Sequence, residues 1–130
     1  LDRITSFEGK TGPYLLYQAV RIKSLLKKAA AQSMIMSNNF KIQDEDQVLA
    51  LLLAEFPDHF DLALRNNTPH VLCDYAYKIA QSFSSFYSNC HILSERDEDL
   101  RASRLGLCSL TVRQLELILN LLGIQIPERM

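Results

Sequence analysis

The chain has 130 residues, of which 48% are hydrophobic and 22% are charged, and its formal net charge is -1. This composition is typical of one globular domain with its own core, and it excludes an intrinsically disordered chain. Four glycines and four prolines are few for an all-β domain, and no apolar run is long enough to span a bilayer.

The spacing of apolar residues predicts an all-α fold. Each predicted helix combines a helical apolar period with start or stop signals at its ends. The two longest apolar stripes, predicted to face inward from the fourth and fifth helices, are Leu72, Ala76, Ile79, Phe83, Phe86 and Cys90, and Leu105, Cys108, Val112, Leu115, Leu119 and Leu122. In chain order the predicted helices cover residues 13–36, about 44–56, 58–65, 69–90 and about 95–122. No segment keeps the two-residue period of a strand. The sequence therefore predicts an antiparallel helical bundle of about five helices, with long up-and-down helices and one short insertion.

Local signals set the predicted helix boundaries. Residues 1–12 are expected to be a connecting segment, and Pro13 suits the first turn of a helix. Thr68, followed by proline, predicts the start of the fourth helix. The stretch from Ser94 to Asp97 is typical of a capping box with Asp in place of Glu, which predicts the start of the fifth helix. Gly123 is a natural C-terminal cap for that helix.

Charged residues are unevenly distributed along the chain. Lysine and arginine outnumber acids in residues 1–43, whereas residues 44–62 carry acids and no bases. Such a dipolar surface allows phosphate contact on one face only, although two ordinary solvated helix faces would give the same pattern. The acidic clusters at 44–46 and 97–99 lie at predicted helix starts, where stabilisation of the helix dipole and capping explain them better than acid/base catalysis.

The three cysteines are scattered in sequence at Cys73, Cys90 and Cys108. No CxxC pair and no Cys/His finger spacing occurs, so the sequence predicts no metal site. Three separated cysteines indicate buried free thiols in a reducing compartment.

One stripe of the first predicted helix combines aromatic, cationic and hydroxyl side chains. Tyr17, Arg21, Ser24 and Lys28 follow one another at spacings of four, three and four residues, opposite an apolar stripe that would face the core. A ring beside a guanidinium and an ammonium suits a flat anionic ligand, of which single-stranded RNA is the most common. Core packing of Tyr17 is the alternative interpretation.

A second pair of rings lies near the end of the fourth predicted helix. Tyr87 and His91 are four residues apart, so on a continuous helix they would lie on the same face. Both rings suit contact with a nucleotide, but they would also serve simply to cover the end of the bundle.

Catalytic motifs are absent from the sequence. It contains no phosphate-binding GxxxxGK[ST] loop, no GxGxxG and no HExxH, and its histidines are dispersed. The chain by itself therefore has the pattern of a binding module. The alternative to RNA binding is a helical protein-interaction module with no RNA role, in which a partner helix would dock on residues 49–56.

Four sequence blocks resemble one protein family in order and spacing. They are Phe7 to Tyr17 followed by Arg21, Thr68-Pro69-His70 with Phe86-Tyr87, Arg101 to Leu105, and Leu122-Gly123-Ile124 with the closing Pro127 to Met130. Together they resemble the C-terminal anticodon-binding domain, known by the label DALR, of bacterial-type arginyl-tRNA synthetase. The resemblance covers essentially the whole chain.

The resemblance implies a fold, a domain division and a function. Residues 1–12 would lead in from a preceding catalytic domain, and residues 13–130 would form the helical anticodon-binding domain of a class I synthetase. The full-length enzyme of this family uses ATP with magnesium to join arginine to its tRNA. This chain lacks the HIGH-type signature of the catalytic domain. The fragment should therefore be inactive alone and should need no cofactor of its own.

The resemblance also assigns roles to individual residues. Tyr17 and Arg21 match an aromatic and an arginine near the anticodon loop, and Tyr87 matches an aromatic in the pocket for the middle anticodon base. His91 falls where some relatives have tryptophan, and Met130 matches a terminal methionine beside the anticodon nucleotides. Weaker phosphate contacts are expected from three lysines, Lys23, Lys27 and Lys28.

The partners implied by the resemblance are the anticodon loop of an arginine-accepting tRNA and the catalytic domain of the same protein. The resemblance implies no membrane or DNA partner. It further implies a cytoplasmic protein that works as a monomer.

Overall fold

The computed structural model describes residues 12–123, and these residues form an all-α bundle without strands. The five α-helices in this range are α1 (Gly12–Ala31), α2 (Gln47–Ala54), α3 (Phe56–Asn66), α4 (Pro69–Asn89) and α5 (Glu98–Leu121). Short 3-10 turns occupy Asp44–Asp46 and Ile92–Ser94. A single residue, Glu55, separates α2 from α3, so the two form one bent unit. The predicted fold class is confirmed. Residues 1–11 and 124–130, which include Met130, lie outside the described range.

The three long helices pack around a common core. α1 and α4 run in the same direction, since Tyr14 meets Tyr77 at one end, with ring centroids 5.4 Å apart, and Arg21 meets Tyr87 further along both helices. α5 runs in the opposite direction: its first turns lie beside the chain that leaves α1, and its later half contacts the middle of α1 through Glu116. The apolar stripes predicted for α4 and α5 form much of this core.

Helix α1 ends at Ala31, five residues before the predicted end at Met36. Ser33 adopts a left-handed conformation, with φ of 59°. The amide of Met34 donates to the carbonyl of Ala29, and the amide of Ser33 donates to that of Ala30. These bonds form a Schellman cap, which usually has glycine at the left-handed position. Because serine occupies that position here, the sequence carries no obvious stop signal.

Helix α4 begins at Pro69 as predicted but ends at Asn89, so His91 is not on the helix. Cys90 has extended backbone angles, and its amide donates to the carbonyl of Phe86. The prediction that Tyr87 and His91 share a helix face was therefore wrong. Thr68 precedes the helix, but its side chain makes no cap hydrogen bond.

The start of α5 is capped by Asp97 rather than Ser94. The Asp97 side chain accepts hydrogen bonds from the amides of Asp99 and Leu100, which satisfies two donors of the first turn. Ser94 belongs to the preceding 3-10 turn. The predicted capping box was thus placed three residues too early, because an aspartate can itself serve as the cap.

All three cysteines are free and buried, as predicted. Burial raises the pKa of Cys73 to about 11, with a smaller contribution from the neighbouring Asp74 carboxylate. Burial also raises the pKa of Cys90 and that of Cys108. The thiolate is the reactive form of cysteine. These side chains therefore pack as small apolar groups.

Candidate nucleic-acid interface

A basic groove of about 680 Å³ runs along α1 and is closed on one side by the end of α4 and the turn that follows it. Its polar and cationic lining comes mainly from one face of α1, and Tyr87 and Leu93 form the opposite wall. Among residues 12–123, no acidic residue lines it. The lining residues are Tyr17, Val20, Arg21, Lys23, Ser24, Leu25, Lys27, Lys28, Tyr87 and Leu93.

Arg21 lies at the centre of this groove between two tyrosines. Its guanidinium carbon is 3.9 Å from the centroid of the Tyr87 ring and 6.0 Å from that of Tyr17. Both distances are within the range of cation–π attraction. The Arg21 Nη1 atom also donates to Oε1 of the buried Gln18 at 3.4 Å. The two rings and the Gln18 amide together hold the guanidinium in one place, and its other N–H groups remain available to donate to a ligand.

The two tyrosines differ in exposure. Tyr17 is 53% exposed, which contradicts the alternative that it packs in the core. Tyr87 is half-buried and packs against Phe83, with ring centroids 5.9 Å apart. Because Arg21 covers one face of the Tyr87 ring, a base can stack on that face only when the guanidinium swings aside. The exposed stacking platforms are therefore the Tyr17 ring and the outer face of the Arg21 guanidinium.

The three lysines of the groove have different surroundings. Lys23 Nζ lies 3.5 Å from a carboxylate oxygen of Glu116 on α5, so its charge is partly neutralised. Lys27 and Lys28 are exposed and make no ion pair within residues 12–123. These two lysines, together with Arg21, supply the positive potential of the groove.

His91 is exposed and does not line the main groove. It lies between two smaller cavities that flank the turn after α4. One of about 240 Å³ is shared with Tyr87 and Leu25, and one of about 580 Å³ extends to Arg96 and Arg104. The structure thus brings His91 close to Tyr87 through the turn and not through a shared helix face.

A buried ion-pair cluster beside this turn was not foreseen in the sequence. Asp46 is fully buried and accepts a hydrogen bond from Nε of Arg104 at 3.0 Å. The predicted capping role is confirmed for Asp46, whose carboxylate also accepts from the Gln43 amide, but its pairing with Arg104 was not predicted. A usable signal was present, since Arg104 precedes Cys108 by four residues and so continues the inward stripe of α5. A buried arginine requires a carboxylate partner.

Other predicted sites have less support in the described residues. Leu49 and Leu53, two of the apolar residues in the segment proposed for a partner helix, are buried in the protein's own core, whereas Leu51 is exposed. Within residues 12–123, no three His, Cys, Asp or Glu side chains come together as a metal site. No helix in the same range combines the length and apolarity needed to cross a membrane.

The chain is similar to known arginine–tRNA ligases over its whole length. A curated arginine–tRNA ligase from Maricaulis maris is 50% identical over 130 residues, which make up 100% of this chain and 22% of that protein. The chain therefore spans 22% of the length of this relative. Of the solved structures, Thermus thermophilus arginyl-tRNA synthetase matches with a TM-score of 0.80 and 33% identity, over 96% of this chain and 22% of that chain.

A second solved structure and a family model agree with these matches. Arginyl-tRNA synthetase from Plasmodium falciparum matches with a TM-score of 0.70 and 29% identity, over 99% of this chain and 23% of that chain. The family model described as the DALR anticodon binding domain matches residues 15–130. Because that match covers nearly all of the sequence, the chain belongs to the DALR anticodon-binding domain family, which confirms the resemblance.

Proposed function

We propose that this domain binds the anticodon loop of an arginine-accepting tRNA as part of an arginine–tRNA ligase. Membership of the anticodon-binding family and the arginine–tRNA ligase names of its relatives support the proposal. The single observation that carries it is the Arg21 guanidinium, which is held between Tyr17 and Tyr87 in a basic groove that the described part of the chain lines without any acidic residue.

This geometry suits unpaired nucleotides. Single-stranded RNA is recognised by stacking of splayed bases on aromatic or guanidinium planes and by hydrogen bonds to base edges. Tyr17 and Arg21 offer such planes, and Lys27 and Lys28 face the phosphates. Met130 and His91 would add contacts from the chain terminus and from the turn after α4.

The middle anticodon base would give the domain its specificity for arginine-accepting tRNA. Every arginine codon has G in the middle, so the matching anticodon has C there. Cytosine presents an amino donor and ring acceptors on its Watson–Crick edge. Helix ends leave carbonyls without helical partners, so the end of α4 can accept from the amino group while Arg21 donates to the acceptors.

The catalytic step belongs to the rest of the parent protein. ATP and magnesium would bind to a catalytic domain outside this chain, because the chain has neither an HIGH-type signature nor a glycine-rich phosphate loop. We therefore place the fragment in a cytoplasmic, monomeric ligase, in which it contacts its own catalytic domain and the tRNA. The fragment alone should form no aminoacyl product.

Replacing Tyr87 with alanine should weaken binding of an arginine anticodon stem-loop by about 1–3 kcal/mol, the range for one lost stacking platform, because the ring holds the Arg21 guanidinium in its stacking position. Fluorescence anisotropy with the 130-residue chain measures this change. Tyr87→Phe is the matched control and should bind like the original chain, since the ring is kept. Equal affinity of the unmodified chain for stem-loops with C or U in the middle would contradict the proposed function.

Replacing Lys27 and Lys28 together with glutamine should flatten the salt dependence of RNA binding. Each lost contact with a single-strand phosphate lowers the slope of log affinity against log salt by about 0.7, so the double variant should lose about 1.4. The control is Lys78→Gln, which removes an exposed lysine of α4 that does not line the groove. An unchanged slope in the double variant would show that these lysines do not contact phosphates.

A further inference from the structure

The cluster around Arg104 is larger than one ion pair. Besides its bond to Asp46, the Arg104 guanidinium lies 3.3 Å from Glu95 Oε1 through Nη1 and 3.6 Å from Glu45 Oε2 through Nη2. The Arg104 side chain is only 7% exposed. All three nitrogens of the guanidinium are therefore directed at carboxylates, and the fork has one preferred orientation.

This cluster holds both ends of the turn that follows α4. At the start of the turn, the Cys90 thiol contacts the same Asp46 oxygen that accepts from Arg104, at 4.0 Å. At its end, Glu95 binds Arg104 through its carboxylate, and Arg101 Nη1 donates to the Glu95 carbonyl at 3.3 Å. The turn at residues 90–95 is therefore held at its start through Asp46 and Arg104, and at its end by Arg104 and Arg101. Both arginines lie on α5.

The other side of the same turn faces the candidate RNA site. Residues 90–94 form most of the wall of the 240 Å³ cavity that Tyr87 and Leu25 complete. Leu93 also reaches the main groove beside Arg21. The turn therefore separates the buried arginine cluster from the groove, and its position determines the shape of the space next to Tyr87.

We infer that Arg104 is a positioning residue for anticodon-base recognition: it fixes the turn at 90–95, and through this turn it sets the geometry of the pocket beside Tyr87. The inference rests on the proposed function. Arg104 is buried behind the turn and does not contact the RNA. A binding group must be held close to its productive geometry by the residues around it. A loosened turn should therefore lower the discrimination between bases more than it lowers the overall affinity for RNA.

The test compares stem-loops that have C or U in the middle of the anticodon, with the 130-residue chain and its Arg104→Lys variant. Lysine keeps the charge but replaces the planar guanidinium, whose three nitrogens each meet a different carboxylate, by one compact ammonium group. We expect the affinity ratio between the two stem-loops to fall about tenfold, the equivalent of one well-aligned hydrogen bond. The slope of affinity against salt should not change, because the phosphate contacts remain.

Further variants separate positioning from stability. Glu95→Ala, at a partly exposed site on the turn, should lower discrimination in the same direction while circular dichroism shows a folded chain. Arg65→Lys changes an exposed Arg–Asp pair on α3 in the same chemical way and should leave discrimination intact. If Arg104→Lys and Glu95→Ala both fold and still discriminate fully between the C and U stem-loops, the inference is overturned but the proposed function is not. Absence of discrimination by the unmodified chain would overturn the proposed function and the inference with it.

Discussion

Replacing Arg104 with methionine is expected to lower the free energy of unfolding by about 3–5 kcal/mol, because it leaves a buried carboxylate without its cation. Asp46 is fully buried and, of the donors within residues 12–123, would keep only the amide of Gln43 and the Cys90 thiol. A buried charge without a partner cannot recover its lost hydration. Urea unfolding at neutral pH, followed by circular dichroism, measures the loss.

A second variant tests whether the stranded charge causes this loss. Arg104→Met combined with Asp46→Asn removes both charges but keeps an oxygen that accepts from the Gln43 amide, so it should recover most of the stability. Arg65→Met, which breaks the exposed pair with Asp61, should cost less than about 1 kcal/mol. If the double variant were as unstable as Arg104→Met, lost packing and not the unpaired charge would explain the result.

The long helices were predictable because each one repeats the same signal many times. The residues of the inward stripe predicted for the fourth helix are all buried, from Leu72 to Cys90, which lies one residue beyond the end of α4. Such a pattern depends only on helical geometry and on the removal of apolar surface from water. The ends of helices depend on single residues. A serine at the left-handed cap of α1 therefore led to an error of five residues, and an extended Cys90 after α4 led to an error of one.

The exposed stripe of the candidate site was predictable for the same reason as the helices. Tyr17, Arg21 and Lys28 lie on one face of α1 in any helix, whatever its surroundings. The partner of Arg21 on α4 and the wall formed by Leu93 depend on how distant segments pack, and sequence spacing does not encode that. The pairing of Arg104 with Asp46 joins residues 58 positions apart and is of the same kind.

Replacing Gly106 with alanine is expected to destabilise the protein by about 2–3 kcal/mol, although alanine normally stabilises a helix by about 1 kcal/mol relative to glycine. A β-carbon at this buried position of α5 would overlap the carbonyl oxygen of Ser37 and lie 3.0 Å from the Phe40 ring. Backbone cannot move aside as a flexible side chain can. The glycine is therefore required by the close approach of the chain that joins α1 to α2.

The displacement caused by Gly106→Ala should be local to that connecting chain. Its two nearest anchors are the Ser37 amide, which donates to the Ala102 carbonyl, and the Lys41 amide, which donates to Ser103 Oγ at 2.8 Å. Hydrogen exchange of both amides should accelerate in the variant, and urea unfolding should show the loss of stability. Asn120→Ala raises helix propensity at an exposed position of the same helix and should be neutral or slightly stabilising. A Gly106→Ala variant as stable as this control, with unchanged amide protection, would contradict the close approach of the connecting chain to α5.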